Sequence, residues 1–305
     1  MLIAGAFWLR ARVRAGAWIP EGRALPVPAG IEVIRNVEIG NGGGRRLHVE
    51  IVRPKLPGPT PMPAVLWIHG GGWQEGSHKA DGAWRHAIRG YFTASIEYRL
   101  SGEAQWPAQI EDCKLAVRWL RANAAQYHVD PERIGVMGIS AGGHLAAFLG
   151  LDDAPAANET AAGFAGVSSR VQCVVDFSGP TDFTQGSAGL LGKFPPDDAP
   201  ILVKLFGRTF RERPEIWKQA SPIAHVHTGV PPFLIIQGEK DTLVPMAHAE
   251  RLGEALRRIA QPVELIRVKN ADHVFRAVSA KQPMEPDANQ LAGQVDTFLD
   301  RYLKR

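Results

Sequence analysis

Ser140 stands in the middle of Gly138-Ile139-Ser140-Ala141-Gly142, a G-x-S-x-G pattern. An apolar run from Ile134 to Met137 leads into it, and a run of small and apolar residues from Gly143 to Leu149 leads out. That order reads as a strand, a sharp turn and a helix, the setting in which a serine hydroxyl is lifted clear of a sheet to act as a nucleophile. Glycines on either side remove the β-carbons that would collide across so tight a turn. The helix that follows aims its free N–H groups and its dipole at the place where an attacked carbonyl becomes negative. The pattern by itself also fits a simple packing turn, so its partners elsewhere in the chain decide its meaning.

Those partners have to come from the elements around it. Ile31 to Arg53 alternates as two strands broken at Gly40-Asn41-Gly42-Gly43-Gly44, a hairpin signal. After a proline-rich loop over 54–63, Ala64 to Ile68 is a short apolar run suited to a strand covered on both faces. Tyr91 to Tyr98 is another strand. Pro107 opens a helix to about Ala125, with Ile110, Cys113, Val117 and Leu120 on one face. Asp130-Pro131 closes that connection, and Ile134 starts the strand before Ser140. Val171 to Phe177, Phe233 to Ile236 and Val263 to Val268 are further strands. Leu252, Leu256 and Ile259 line one helix, and Leu291, Val295, Phe298, Leu299 and Tyr302 line the last. Residues 179–224 show no single period, and an insert of that length is usually functional. Strands alternating with helices predict an α/β fold, a mainly parallel sheet covered on both faces with an antiparallel hairpin at its start.

In such a sheet the working residues collect at the carboxyl ends of the strands. His69-Gly70-Gly71-Gly72-Trp73 follows one strand, Ser140 the next, Gly238-Glu239-Lys240-Asp241 a third and Asn270-Ala271-Asp272-His273 a fourth. Nucleophile, acid and base candidates therefore occur in the chain order Ser, Asp, His at three strand ends. The acid is Asp241, Glu239 or Asp272. Asp272 adjoins His273, which disfavours a good imidazole bond, and Asp241 lies further into its loop than Glu239, where it can reach across. His128, His225 and His227 read as solvated or capping residues, and His144 as a packing residue of the helix after Ser140. Gly71 and Gly72, with the amide of Ala141, could hold an oxyanion by backbone N–H groups. His69-Gly70-Gly71-Gly72 lacks the Lys-Ser/Thr that would complete a phosphate loop.

Composition restricts the class. With 305 residues, 45% hydrophobic and 22% charged, the chain can bury a sizeable core. The net charge is +4, of which residues 1–30 carry +3, and no basic stripe would track phosphates, so no nucleic-acid partner is expected. Cys113 and Cys173 read as buried hydrophobes outside any metal spacing. No stretch approaches the ~20 apolar residues of a membrane span. Residues 1–30 read as an extension to a domain over 31–305. Its apolar start precedes the arginines, the reverse of a signal peptide, so the expected location is cytoplasmic, or secreted or periplasmic if a signal has been truncated.

The segments His-Gly-Gly-Gly-Trp (69–73) and Gly-Ile-Ser-Ala-Gly-Gly (138–143), with Glu97-Tyr98-Arg99-Leu100 and Trp106-Pro107-Ala108-Gln109 between them, resemble α/β-hydrolase fold carboxylesterases. The similarity is greatest to the branch containing bifunctional acetylxylan and feruloyl esterases, and more distant to hormone-sensitive-lipase-like enzymes. Asp176 to Asp182, Ala220 to Ile223 and Gly238 to Asp241 match the same pattern, so it runs from about Ile31 to the C-terminus. The resemblance implies Ser140 as nucleophile, Asp241 as acid, His273 as base, and Gly71, Gly72 and Ala141 as oxyanion donors, with no metal or cofactor. Two departures stand out: Ile139 occupies a position usually acidic in the lipase-like branch, and Asp272-His273-Val274 replaces the usual Gly-His-Gly.

The expected function is hydrolysis of short-chain carboxylic esters through an acyl-enzyme, with a small-molecule ester as partner; the oligomeric state is left open. The alternatives are a serine peptidase or amidase on the same fold, or a non-catalytic protein that captures a small ligand. Residues 179–224 are expected to form a small cap. Its apolar patches, Leu190-Leu191 and Ile201 to Phe206, are interspersed with Lys193, Asp197, Asp198 and Lys204, which suits a shallow acyl pocket rather than a lipid-binding lid.

Overall fold

A computed structural model describes residues 27–79, 84–151, 164–184 and 199–304. Their strands are β1 (Ile31–Gly42), β2 (Arg45–Pro54), β3 (Met62–Ile68), β4 (Phe92–Ile96), β5 (Val129–Ile139), β6 (Cys173–Phe177), β7 (Phe233–Gly238) and β8 (Val263–Val268). They form one sheet in the order β1-β2-β4-β3-β5-β6-β7-β8. The β1–β2 and β2–β4 pairs are antiparallel and the rest are parallel. The helices are α1 (Trp84–Ile88), α2 (Ala108–Ala122), α3 (Ala141–Leu151), α4 (Pro200–Phe206), α5 (Pro214–Gln219), α6 (Ala247–Arg258) and α7 (Ala288–Leu303), with a 3-10 turn over Pro222–His225.

The alternation of side chains along each strand divides the core in two. Ala64, Leu66 and Ile68 of β3, Ile134 and Val136 of β5, and Phe233 and Ile235 of β7 enter the larger cluster with α2, α3 and α6. Val65 of β3, Met137 and Ile139 of β5, and Leu234 and Ile236 of β7 enter the other, which Leu291, Val295, Phe298 and Leu299 of α7 complete. Both faces are therefore buried, which explains why the central strands read as unbroken apolar runs. Cys113 and Cys173 are buried and unpaired, as hydrophobes.

Local chemistry sets the element ends. Asp287 caps α7 by accepting from the Asn289 and Gln290 amides, while the Gln290 side chain accepts from the Asp287 amide, a reciprocal capping box. Pro107 takes the position before α2. The β1–β2 turn narrows to Gly43-Gly44, and β1 carries two register shifts.

One expectation needs correction, and three short helices add to the reading. β5 begins at Val129 rather than Ile134: Met62 pairs with Val129 before a bulge returns the register at Ala64 and Ile134. Asp130 thus sits inside the strand, tied to Arg133 at 2.7 Å. α1 escapes the sequence because five residues carry no period; Arg85 fixes it to Asp296 of α7 at 2.6 Å. The aperiodic stretch after β6 contains α4 and α5, each under two turns and each opened by a proline. Of the expected extension only 27–30 are described, where the Gly30 carbonyl accepts from the Lys55 amide at 2.8 Å.

The described part of the insert is docked rather than detached. Leu202, Leu205, Phe206 and Trp217 join the main core, with the Phe206 and Trp217 rings 4.7 Å apart. Leu202, Leu205 and Phe206 of the expected pocket-lining patch are thus used in packing. Leu190, Leu191, Lys193, Asp197 and Asp198 lie outside the described residues.

Candidate active site

The elbow has the geometry its spacing requires. β5 ends at Ile139, α3 begins at Ala141, and Ser140 between them sits at φ 56°, a left-handed backbone that a non-glycine residue adopts at a cost of roughly 1–3 kcal/mol. Its amide donates to the Phe177 carbonyl at 2.8 Å, and its carbonyl accepts from His144 at 3.0 Å, so both backbone groups are fixed. The turn is pressed against the end of β3. A β-carbon at Gly142 would lie 2.1 Å from the Ile68 carbonyl oxygen, which no side chain could occupy.

Three strand ends bring Ser140, His273 and Asp241 together. The His273 Nδ1–H donates to Asp241 Oδ2 at 2.7 Å, which leaves Nε2 to accept from the Ser140 hydroxyl at 2.8 Å. The hydroxyl is therefore next to a basic nitrogen whose tautomer the carboxylate sets. The acid loop reaches His273 because it is stitched to the next strand end: Glu239 donates to the Val268 carbonyl at 3.0 Å and Lys240 to that of Ala271 at 2.9 Å.

The carboxylates that competed with Asp241 are accounted for. Glu239 is exposed. Asp272 Oδ1 accepts the amides of Val274 at 3.0 Å and Arg276 at 2.9 Å, so it closes its own loop. The Asp241 side chain is fully buried, and its Oδ1 accepts from the amides of Leu243 at 2.8 Å and Val244 at 2.9 Å. A carboxylate with those donors is held in one orientation.

The glycine loop lies directly behind the elbow. A β-carbon at Gly70 would come within 2.9 Å of the Ile139 carbonyl oxygen and 3.4 Å of Ser140 Cβ. Gly71 has φ +108°, and its carbonyl accepts from the amides of Gln74 and Glu75 at 3.0 and 3.1 Å. The turn thus uses the carbonyl of Gly71 and leaves its amide out of those bonds. His69 is stacked on Tyr98 with ring centroids 4.3 Å apart, and its Nδ1–H donates to the Gly70 carbonyl at 2.7 Å. Burial lowers the pKa of His69 to about 4, so it is a neutral scaffold for the loop. α3 starts at Ala141, directly after the serine, so its first amides are free of helix hydrogen bonds.

Three further histidines are held by their surroundings. His144 is enclosed by Trp73, Trp106, Phe148 and Phe183, its pKa lowered to about 4 by burial. The His128 ring contacts the Gly58 carbonyl at 2.9 Å, and that of His225 the Gln219 carbonyl at 2.8 Å. One residue at the site escaped the sequence, Gln237, whose Nε2 donates to Asp241 Oδ2 at 2.8 Å. Its only signal is a polar residue in the otherwise apolar Phe233-Leu234-Ile235-Ile236 run.

A sheet of this order, with its elbow after β5 and its acid and histidine loops after β7 and β8, defines the chain as an α/β-hydrolase. Residues 49–256, more than half of its length, match the family model BD-FAE, and the chain belongs to the BD-FAE family. Among curated relatives, Esterase LipC of Mycobacterium tuberculosis is 33% identical over 233 residues, covering 74% of this chain and 56% of that protein. Esterase LipQ of the same organism is 33% identical over 247 residues, covering 79% and 56%. The chain thus spans little more than half the length of these relatives. Among solved structures, a truncated form of a carbohydrate esterase from gut microbiota superposes with a TM-score of 0.77 at 27% identity, covering 93% of this chain and 100% of that one. The thermophilic esterase Est2 of Thermogutta terrifontis superposes with a TM-score of 0.69 at 27% identity, covering 89% and 92%. Among the described residues, no helix is long and apolar enough to cross a membrane.

Proposed function

We propose that this chain hydrolyses short-chain carboxylic esters through an acyl-enzyme on Ser140. The observation that carries the reading is the continuous relay from Asp241 Oδ2 through both nitrogens of His273 to Ser140 Oγ, with bonds of 2.7 and 2.8 Å. Nε2 takes the hydroxyl proton as Oγ attacks the acyl carbon, and the ionised Asp241 stabilises the imidazolium that forms. The carbonyl oxygen gains charge beside the Gly71, Gly72 and Ala141 amides, where each donor contributes about 3 kcal/mol to the transition state. Collapse expels the alcohol with a proton from His273, and water then releases the acid by the same route. No metal or organic cofactor enters any of these steps.

The acyl group is proposed to be small. Leu202, Leu205 and Phe206 are committed to the core, which removes most of the apolar surface that α4 could offer a long chain. Est2, a structural neighbour, has been solved with propionate and with butyrate bound. Each methylene left unburied forfeits ~0.8 kcal/mol of binding. Esters of sugars or hydroxycinnamates with short or planar acyl groups are the natural substrates this reading favours.

The test is kcat/KM for nitrophenyl acetate, butyrate, octanoate and palmitate. The proposal requires a maximum at acetate or butyrate and a steep fall beyond. A maximum at octanoate or longer contradicts it.

A further inference from the structure

Gln237 is the one polar side chain in β7, a strand buried along its whole length, and it is 1% exposed. A buried amide is costly unless bonded, so its bonds indicate what it does. Nε2 donates twice, to Asp241 Oδ2 at 2.8 Å and to the Val244 carbonyl at 2.9 Å. Both partners are pure acceptors, which fixes the amide with its NH2 group inward. Oε1 is buried with no hydrogen-bond partner among the described residues. A leucine or methionine would fill the same space with no orphaned acceptor, so packing does not explain an amide here.

The oxygen that Gln237 holds is the one that receives His273 Nδ1–H, while Oδ1 is tied to the Leu243 and Val244 amides. Asp241 and Val244 lie on the loop after β7, whereas Gln237 lies in the strand, between β6 and β8. The amide therefore pins both the carboxylate and the loop that carries it to the rigid sheet.

We propose that Gln237 is a positioning residue for the Asp241–His273 couple, fixing the direction of the carboxylate and sharing the oxygen that the imidazole uses. The inference rests on the triad proposed above. Sharing Oδ2 between two donors draws charge away from the bond to His273 and tempers the pull of the carboxylate on the imidazolium. Without Gln237, Asp241 turns more freely and attracts the imidazolium more strongly.

Two variants and a control test this by steady-state kinetics from pH 5 to 10, with melting temperatures to verify folding. Gln237→Met removes the donor at similar length. Its kcat should fall about 10- to 100-fold, the worth of a hydrogen bond to a charged group, with KM within two-fold. The acidic limb of its kcat/KM profile should move to higher pH. Gln237→Glu sets a second carboxyl against Asp241 and the Val244 carbonyl. While protonated it still donates one bond, and once ionised it repels Asp241, so a new loss of activity should appear as pH rises. A packing defect would produce neither pH effect. Parent kcat and parent pH profiles in both variants would overturn the inference, and so would an equal, pH-independent loss in both. If Gln237→Met fails to fold, the profile of Gln237→Glu decides. Ser140→Ala separates the two readings. If it is inactive and the Gln237 variants match the parent, this inference alone fails; if it turns over like the parent, the triad itself fails.

Discussion

Trp73 and His144 meet edge to face with ring centroids 5.3 Å apart, and the indole Nε1–H donates to the imidazole Nδ1 at 3.2 Å. That bond makes Nε2 the protonated nitrogen, which donates to the Ala220 carbonyl at 2.8 Å. One neutral ring thus joins the glycine loop, the helix after Ser140 and the residue that ends α5. In His144→Phe the ring volume is kept, but a buried indole N–H and a buried carbonyl lose their partners, at a cost of about 1–3 kcal/mol for each group. Urea denaturation should show a loss of that order, and kcat should fall because the loop bearing Gly71 and Gly72 loses its anchor. Parent stability and parent kcat together would show that the bonds are incidental.

His69 and His144 are buried and His86 is largely enclosed, and desolvation lowers the pKa of each from 6.5 to about 4. The unfolded chain binds these protons more readily than the folded one, so their neutral burial costs nothing above pH 6.5. Their contribution to stability is then lost progressively as pH falls from 6.5 to about 4. Urea unfolding at pH 8, 6, 5 and 4.5 should show the decline, and His86→Phe should flatten it in part. A stability that is constant down to pH 4.5 contradicts this account.

Asp176 acts with the opposite sign. Its Oδ1 accepts from the Gly179 amide at 2.8 Å, its Oδ2 is buried without a partner among the described residues, and burial raises its pKa from 3.8 to about 7. Here the folded chain binds the proton more tightly, so the group destabilises the fold as pH rises from about 4 through 7. Asp176→Asn removes the charge and keeps the acceptor for Gly179. It should raise the melting temperature most at pH 8 and little at pH 4, and a gain that is the same at both would refute the ionisation argument.

Glu239 and Asp241 separate by burial and by bond. Asp241→Asn keeps the shape but favours the wrong imidazole tautomer, so turnover should fall by roughly three to four orders of magnitude with the fold intact. Glu239→Gln changes an exposed side chain and should stay within a few fold. Steady-state kinetics on the two variants check this, and the reverse ranking would displace Asp241 as the acid.

What could be read from the sequence followed the periodicity. β3, β6 and β7 were legible because strands buried on both faces are mostly apolar, broken only by Asp176 in β6 and Gln237 in β7. The edge strand β8 was legible from Val263, Leu265, Ile266 and Val268 around the exposed Glu264 and Arg267, and α2 and α7 because one face of each repeats its apolar residues. The strand ends then showed where Ser140, Asp241 and His273 would gather. The start of β5 was not legible, since Asp130-Pro131 reads as a break while the backbone bulges and continues. α1, α4 and α5 are too short to show a period and are held by tertiary contacts such as Arg85–Asp296 and the burial of Trp217. Gln237 was invisible for a different reason. Its bond reaches a loop residue four positions on, and one polar residue in a strand does not announce its partner.

The most direct test is covalent. A fluorophosphonate offered to the native protein should add one group per chain, on Ser140 by peptide mass mapping, and should abolish ester turnover in proportion to labelling. Ser140→Ala should take up none and lose turnover by about five to six orders of magnitude. Full ester turnover in Ser140→Ala, or a stoichiometric label on another residue of active protein, would contradict the account.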